Sequence, residues 1–561
     1  MKRILILFIV TSITMFYACN DDFMDRKPLD SFSDANFWNN PDDLRSYANR
    51  FYSTLINPGA IRDYDNQSDI KVPRNPDNFL YGNYIVPTTG GGWSTGDWSN
   101  IRAANYFLTR YSKVIGNESV INSYVGEVRF FRALEYFKKV KRFGDVPWLN
   151  TDLKTNDTEN LYQDRDSRIV VIDSILADLD YAVDNLYEKD RVENGRLHKA
   201  AAQALKARVS LYEGTFRKYH GIEGHKELIQ EAKLTAYDII KSDKYSIYNT
   251  ENPNSDYYDL FIQENLSNNS EVILSRSFIS DIQTHNVTRR MEESYTGFSK
   301  KMVESYLAKD GLPIALSDVY LGDNTLEKEI ENRDPRLWQT IDTKKLPYKI
   351  DDAGNPINND LPIIDPNYCT TGYCVIKFHS PYEAQWNANQ SDLDLIVFRY
   401  AEVLLIYAEA AAELGEIEQN DLDISINKLR ERVNMPFLNV SVGFRDPNWP
   451  DYGYEINPLL YEIRRERRVE LAAEGFRWDD LVRWKAGELI ENPKTIYGMK
   501  VSPDMAERYG SRMENIQLTQ ERLIDVYPDR EAPEWEDKMY LYPIPIQELT
   551  LNPDLEQNPG W

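Results

Sequence analysis

The chain has 561 residues and a formal charge of −25 at pH 7, with 42% hydrophobic and 12% aromatic residues, among them 37 Tyr and 11 Trp. A surface this acidic repels nucleic acid and anionic lipid headgroups and favours neutral ligands, unless a local basic patch overrules the global sign. The length exceeds that of one hydrophobic core and predicts two intimately packed lobes. Beyond the leader no stretch approaches 18 apolar residues without charge, so the body is predicted to be soluble.

Residues 1–18 read as a signal peptide. Lys2 and Arg3 give it a positive start, residues 4–17 are mostly apolar but shorter than the ~20 residues of a membrane helix, and Ala18 is small enough for processing. Cys19 follows the cut and is the predicted site of lipid attachment; the alternative is an ordinary secretory peptide followed by an incidental cysteine. Residues 19–35, acidic and interrupted by Pro28, form the lipidated N-terminus and a tether.

Residues 36–244 are predicted to form the N-terminal part of a helical scaffold. Ile101, Asn105, Leu108 and Tyr111 return to one face of a helix over residues 98–111, and a second helix spans 121–143 before Gly144, Asp145 and Pro147 turn the chain. Over residues 167–186, Ile169, Ile172, Leu176, Leu179, Val183 and Leu186 recur every three or four positions. Helical patterns follow at 199–212, rich in alanine, and at 228–240. Residues 245–395 change texture, with frequent Asn, Asp, Gly and Pro. Here short strands are predicted at 271–278 and 373–378 and a short helix at 302–307, which makes this region the irregular ligand-facing lobe. Residues 396–492 return to helix, with a stripe of Tyr400, Val403, Leu404, Tyr407, Ala408, Ala411 and Leu414 closed by Gly415, then helices at 424–433, 460–473 and 477–486. Residues 493–561 are irregular. The fold class is therefore mainly α: a tetratricopeptide-like helical scaffold with a large irregular inserted lobe containing short strands, although no strict 34-residue repeat is present.

Cys369 and Cys374 lie five positions apart in CTTGYC. In an oxidising compartment a small-loop disulfide is favoured over two free thiols. Without a histidine cluster beside them they are a poor metal site, and no metal or cofactor is predicted.

Four segments carry a family resemblance. VRFFRALEYFKKVKRFGDVPWLN, NRDPRLW at residues 332–338, EIRRERRVELAAEGFRWDDLVRW and YLYPIPIQELTLNPDLEQNPGW together resemble the SusD/RagB family of Bacteroidetes outer-membrane nutrient-binding lipoproteins. Their order and spacing cover nearly all of the mature chain. The resemblance implies four tetratricopeptide-like helix pairs with a variable ligand-facing lobe. It also implies a lipid anchor in the outer membrane facing the cell exterior, and a SusC-like TonB-dependent transporter as partner. Acidic residues after the lipidated cysteine, here in CNDD, accompany surface export in that family. Phe16 and Tyr17 depart from the leucine and small residue more usual before the cut. Read from its residues alone, the late segment places Glu462, Glu466 and Glu470 among Arg464, Arg465, Arg467 and Arg468, a charge-laced support helix with pairs three or four residues apart rather than a catalytic array.

A glycan fits the argument for a neutral ligand. Sugar C–H faces stack on Trp or Tyr, and neighbouring polar groups satisfy hydroxyls. The first candidates lie in FLYGNYIVPTTGGGWSTGDW: Trp93 as the leading stacking residue, with Tyr81 and Tyr84 beside it and Asn83 and Asp97 for hydroxyls; Trp98 reads as a core residue. For Trp93 the competing reading is structural anchoring. Later candidates are Tyr295, Tyr373, Tyr382 and Trp386. Chemistry is not compelled: the five histidines include no HExxH spacing, and there is no GxSxG turn. The expected function is capture of oligosaccharide or polysaccharide without catalysis, with peptide or glycopeptide capture as the alternative and glycosidase activity, which needs two carboxyl groups placed across the bond, behind both.

Overall fold

The computed structural model describes residues 37–351 and 353–561. The leader, Cys19 and the tether lie outside them. Among the described residues, the scaffold includes the helices α1 (Pro41–Ala48), α2 (Ser99–Leu108), α3 (Glu118–Phe143), α4 (Arg168–Asn185), α5 (Lys199–His220), α6 (His225–Lys241), α7 (Tyr400–Glu413), α8 (Pro458–Glu470) and α9 (Arg477–Arg483). Their ends follow local chemistry. The Asn117 carboxamide accepts from the first backbone N–H groups of α3, and Gly144, at φ 76°, ends that helix. Ser167 caps α4 in the same way, Gly221 closes α5 in the left-handed region, and Asn457 with Pro458 opens α8.

From α2 to α8 each helix packs against the next, and α9 returns onto α5. This is the stacking of helix pairs read from the sequence, with α6 meeting α7 across an insertion that begins after Lys241 and ends at Tyr400. One hydrophobic cluster runs through these helices and takes in Tyr540, Tyr542 and Ile544 from the C-terminal region. The α4 pattern needs one correction: Ile169 stands 41% exposed, and Val171 on the opposite side of the first turn is buried instead.

The lobe has its own cluster, built around Tyr257, Phe298, Tyr306, Leu337, Tyr373 and Phe378 and joined by Met499, Val501 and Ile524 from the C-terminal region. Its strands are short and antiparallel: β1 (Lys71–Pro73), β2 (Val272–Arg276), β3 (Thr296–Phe298), β4 (Lys349–Ile350), β5 (Pro356–Ile357), β6 (Leu395–Arg399), β7 (Tyr497–Lys500), β8 (Gln517–Leu518) and β9 (Leu523–Asp525). They pair as β1–β3, β2–β6, β4–β5 and β7–β9–β8. The strand expected at 271–278 is β2. The one expected at 373–378 is not a strand: only Val375 makes a bridge, to Ile341.

Lobe and scaffold meet across buried charge. Glu470 of α8 is fully buried, and its carboxylate takes hydrogen bonds from Arg336 (3.0 Å), Arg399 (2.7 Å) and Arg432 (2.7 and 2.8 Å). Glu466 binds Arg336 and Arg430, and Glu474 binds Arg399 and Lys377. The support role read for α8 therefore holds, but the partners are mostly distant in sequence; within the helix, Arg465 and Glu462 pair at 3.2 Å.

Candidate functional site

Three of the predicted rings, Tyr295, Tyr382 and Trp386, lie along one stretch of the lobe, linked by bonded contacts. Pairing of Pro73 with Thr296 in β1–β3 sets Arg74 beside Tyr295, whose carbonyl accepts from the Arg74 N–H at 2.7 Å. Tyr295 has φ 54°, a strained conformation for a bulky residue that the surrounding structure must hold. The guanidinium carbons of Arg62 and Arg74 lie 5.4 and 5.0 Å from its ring centre, and Arg74 also donates to the Asn367 side chain at 2.7 Å. Arg62 sits on the turn Pro58–Asp63, which packs against the short helix Val287–Glu292 that leads to Tyr295.

The last residue of that short helix, Glu292, pairs with Lys349 at 3.2 Å, and the Lys349 ammonium lies 3.4 Å from the centre of the Trp386 ring. The Trp386 indole N–H donates to the Ser380 carbonyl at 2.7 Å, and its edge meets buried His379. Tyr382 and Trp386 flank a single turn, Glu383–Gln385. Trp386 is half-buried, whereas Tyr382 is 55% exposed and makes no side-chain hydrogen bond among the described residues. The surface therefore offers one open ring, two rings fixed by cations, and the polar groups of Asn367, Glu292, Arg62 and Arg74. Tyr368, 37% exposed, extends it beside Ser294.

The early candidates behave differently. Trp93 is buried at 7% exposure, edge-on to Trp98 and Phe143, which corrects its reading as an exposed platform and supports the anchoring reading. The reason is the loop before it. Gly90, Gly91 and Gly92 all take positive φ, and the Gly91 and Gly92 carbonyls accept from Arg142 and Lys139, so α3 draws the loop down and presses the indole onto Phe143. Tyr373 is likewise corrected: fully buried, its hydroxyl donates to Glu329 at 2.7 Å. Tyr81 is half-buried, donates to the Glu531 carbonyl and lies edge-on to Tyr527; burial pushes its hydroxyl up to about 12. Tyr84 is half-buried against Phe79, Tyr542 and Trp561. Asn83 and Asp97 are exposed. Burial acts to raise the Asp97 carboxyl, but hydrogen bonds from the Ser94 hydroxyl and N–H hold it below the usual carboxylate range, as a turn-closing group.

Cys369 and Cys374 are free, buried thiols and not a disulfide. They face one another: the Cys374 thiol is pushed well up, first by its hydrogen bond with Cys369 and then by burial.

Trp98, read as a core residue, does pack against the scaffold core, beside Trp93 and Tyr136. It is half-buried and lines a mainly apolar cleft of about 200 Å3 with Ile101, Leu149, Leu153 and Leu161. Its place at the start of an amphipathic helix suggested core, and nothing local marked the cleft. Arg62, Arg74 and Lys349 were missed because strand pairing and loop packing bring them to their rings from far along the chain. Among the described residues, no helix is long and apolar enough to cross a membrane.

Comparison with known proteins places the fold. The SusD family model matches residues 237–561. A SusD-like protein of Bacteroides ovatus is 24% identical over 85% of this chain and 82% of its own, and SusD-like protein P2 of Formosa agariphila is 23% identical over the whole of both chains. Among solved structures, a SusD-like carbohydrate binding protein from Bacteroides fragilis superposes with a TM-score of 0.72 at 22% identity, covering 93% of this chain and all of its own. A laminarin binding SusD-like protein does so at 0.57 and 21% identity, covering 93% of this chain and all of its own. The family match spans more than half of the sequence and includes the lobe that carries Tyr295, Tyr382 and Trp386: the chain belongs to the SusD family.

Proposed function

We propose that this protein is a cell-surface lipoprotein, anchored through Cys19 in the outer membrane, that captures a neutral oligosaccharide or polysaccharide and passes it uncleaved to a SusC-like TonB-dependent transporter. The observation that carries the binding reading is the open Tyr382 ring, 55% exposed, set one turn before Trp386, whose ring lies under the Lys349 ammonium. A sugar ring laid on Tyr382 gains stacking of its C–H face, while Asn367 and the arginines beside Tyr295 offer donors and acceptors for hydroxyls of a sugar unit bound there. The cations over Tyr295 and Trp386 fix those rings before a ligand arrives, which lowers the ordering cost of binding. Two structural neighbours, one a carbohydrate binding and one a laminarin binding SusD-like protein, support the same ligand class.

The test is retention of the purified protein on a panel of chemically distinct neutral polysaccharides, with reducing ends assayed in the same samples. The proposal expects retention on at least one glycan and no release of product. Retention on peptides alone, or product release, contradicts it.

A further inference from the structure

A basic cavity lies at the seam between scaffold and lobe, against the sign of the whole molecule. Lys301, on the short helix Lys300–Ser305 of the lobe, faces Arg464, Arg465 and Arg468 of α8 and Arg477 of α9 across about 50 Å3 of space, and the acids in the lining are Glu304 and Asp446. Both acids are already paired, Glu304 with Lys494 at 2.7 Å and Asp446 with Arg465 at 2.5 Å. Arg464 is held by Glu413 at 3.0 Å. Arg477 takes both oxygens of Asp69, at 2.7 and 2.9 Å.

Among the described residues Lys301 has no ion-pair partner, and Arg468 has only a shared one. Arg468 is buried at 8% exposure, and its Nε and Nη2 have no hydrogen-bond acceptor; Nη2 lies 3.2 Å from Asp69, the carboxylate already gripped by Arg477. Arg464 Nε is unpartnered as well. Burial first, then the positive charge of Arg468, lowers the Lys301 ammonium, and burial holds the Arg468 guanidinium down at about 10. Buried donors of a guanidinium left without acceptors are costly, and an ion that supplies oxygen acceptors removes that cost. The planar fork of Arg468 matches a tetrahedral oxyanion. The space exceeds the ~10–15 Å3 that one water needs, so it has room for a small ion. Trp449, stacked on Tyr461 at 4.7 Å and 7°, forms part of the wall, with its N–H already given to Glu462.

We infer that this cavity binds one small tetrahedral oxyanion, sulfate or phosphate, either free or as the ester group on a larger molecule, through Lys301, Arg468 and Arg464. The inference stands independently of the glycan reading, since none of Tyr295, Tyr382 and Trp386 lines the cavity. Because the donors come from both lobe and scaffold, the bound anion ties the two together and raises stability.

The experiment is thermal unfolding of the purified protein titrated with sodium sulfate and, separately, sodium phosphate, against sodium chloride at matched ionic strength. The expected result is a saturable rise in Tm with one of the two oxyanions and not with chloride. In Lys301→Gln, a half-buried position without an ion-pair partner and therefore expected to fold, the concentration at half-saturation rises at least tenfold. Arg468→Gln is expected to abolish the effect; should it fail to fold, Lys301→Gln decides alone. Glucose 6-sulfate and glucose 6-phosphate, added in competition, separate the sources: displacement assigns an ester group and no displacement a free ion, and both retain the site. A rise that is unsaturable and equal in wild type and Lys301→Gln, or no rise beyond chloride, overturns the inference.

Discussion

Replacing Glu470 by Gln keeps the shape of the side chain and removes the charge on which three arginines converge. Of the three, Arg399 retains Glu271 and Glu474, and Arg336 retains Asp334 and Glu466. Arg432, fully buried, loses most: it keeps only Glu271 at 3.2 Å, and its own Nε already lacks a partner. Removing one partner from a buried ion pair costs about 3–5 kcal/mol, chiefly because the other charge is stranded away from water. With two of three arginines still satisfied, the lower end of that range applies, about 3 kcal/mol. Urea unfolding measures it, with the m-value confirming that the same surface is exposed in both proteins. Glu416→Gln is the control: it breaks a pair with Lys233 in which Glu416 is 47% exposed, so it is expected to cost about 0–1 kcal/mol. A loss below about 1 kcal/mol for Glu470→Gln refutes the claim that this network joins lobe to scaffold.

Acid should weaken the fold in two stages. Burial lowers His198 and His220 to about 4 and His379 to about 3, so all three are neutral in the folded protein while the unfolded chain protonates near 6.5. Stability is then fully present above about pH 6.5 and declines as pH falls towards 4, with net proton uptake on unfolding in that window. Burial acts to raise Glu409, but Arg483 beside it prevails and holds it at about 2, so its contribution is present above about pH 4.5 and is lost as pH falls towards 2. Urea midpoints measured from pH 8 to 3 check both stages; a flat profile between pH 6.5 and 4 contradicts the first. Trp93→Ala removes a buried indole and is expected to cost about 3–5 kcal/mol in the same assay; an unchanged midpoint would return Trp93 to the surface. Cys19→Ala is expected to move the protein from the membrane fraction to the soluble fraction of fractionated cells, and unchanged membrane recovery counts against lipid attachment there.

Much of the scaffold was legible because helical periodicity reports directly on a buried face. The stripe from Tyr400 to Leu414 marked α7, and the Arg- and Glu-rich segment marked α8 as a support. The partners of α8 were not legible, since Arg336, Arg399 and Arg432 reach Glu470 through tertiary packing that no spacing encodes. The binding rings divided along the same line. The triple glycine before Trp93 resembled a loop that displays its aromatic residue, yet the positive φ angles that glycine permits fold it inward. Tyr373 sat in a segment with strand-like residues, but the buried Lys300 and Glu329 pair around it fixes its hydroxyl in the core. Tyr382 and Trp386 were readable as candidates because a turn-rich stretch carries them, while the cations set over Tyr295 and Trp386 emerged only from the strand pairing and loop contacts of the folded chain.

The most direct test of the account is isothermal titration of a retained neutral glycan into wild type and Tyr382→Ala, with unfolding midpoints measured on both. By analogy with aromatic stacking on planar ligands, the expected loss of binding is about 1–3 kcal/mol, with a folded spectrum close to that of wild type. Equal affinity in the two proteins would contradict the claim that this open ring on the lobe holds the sugar.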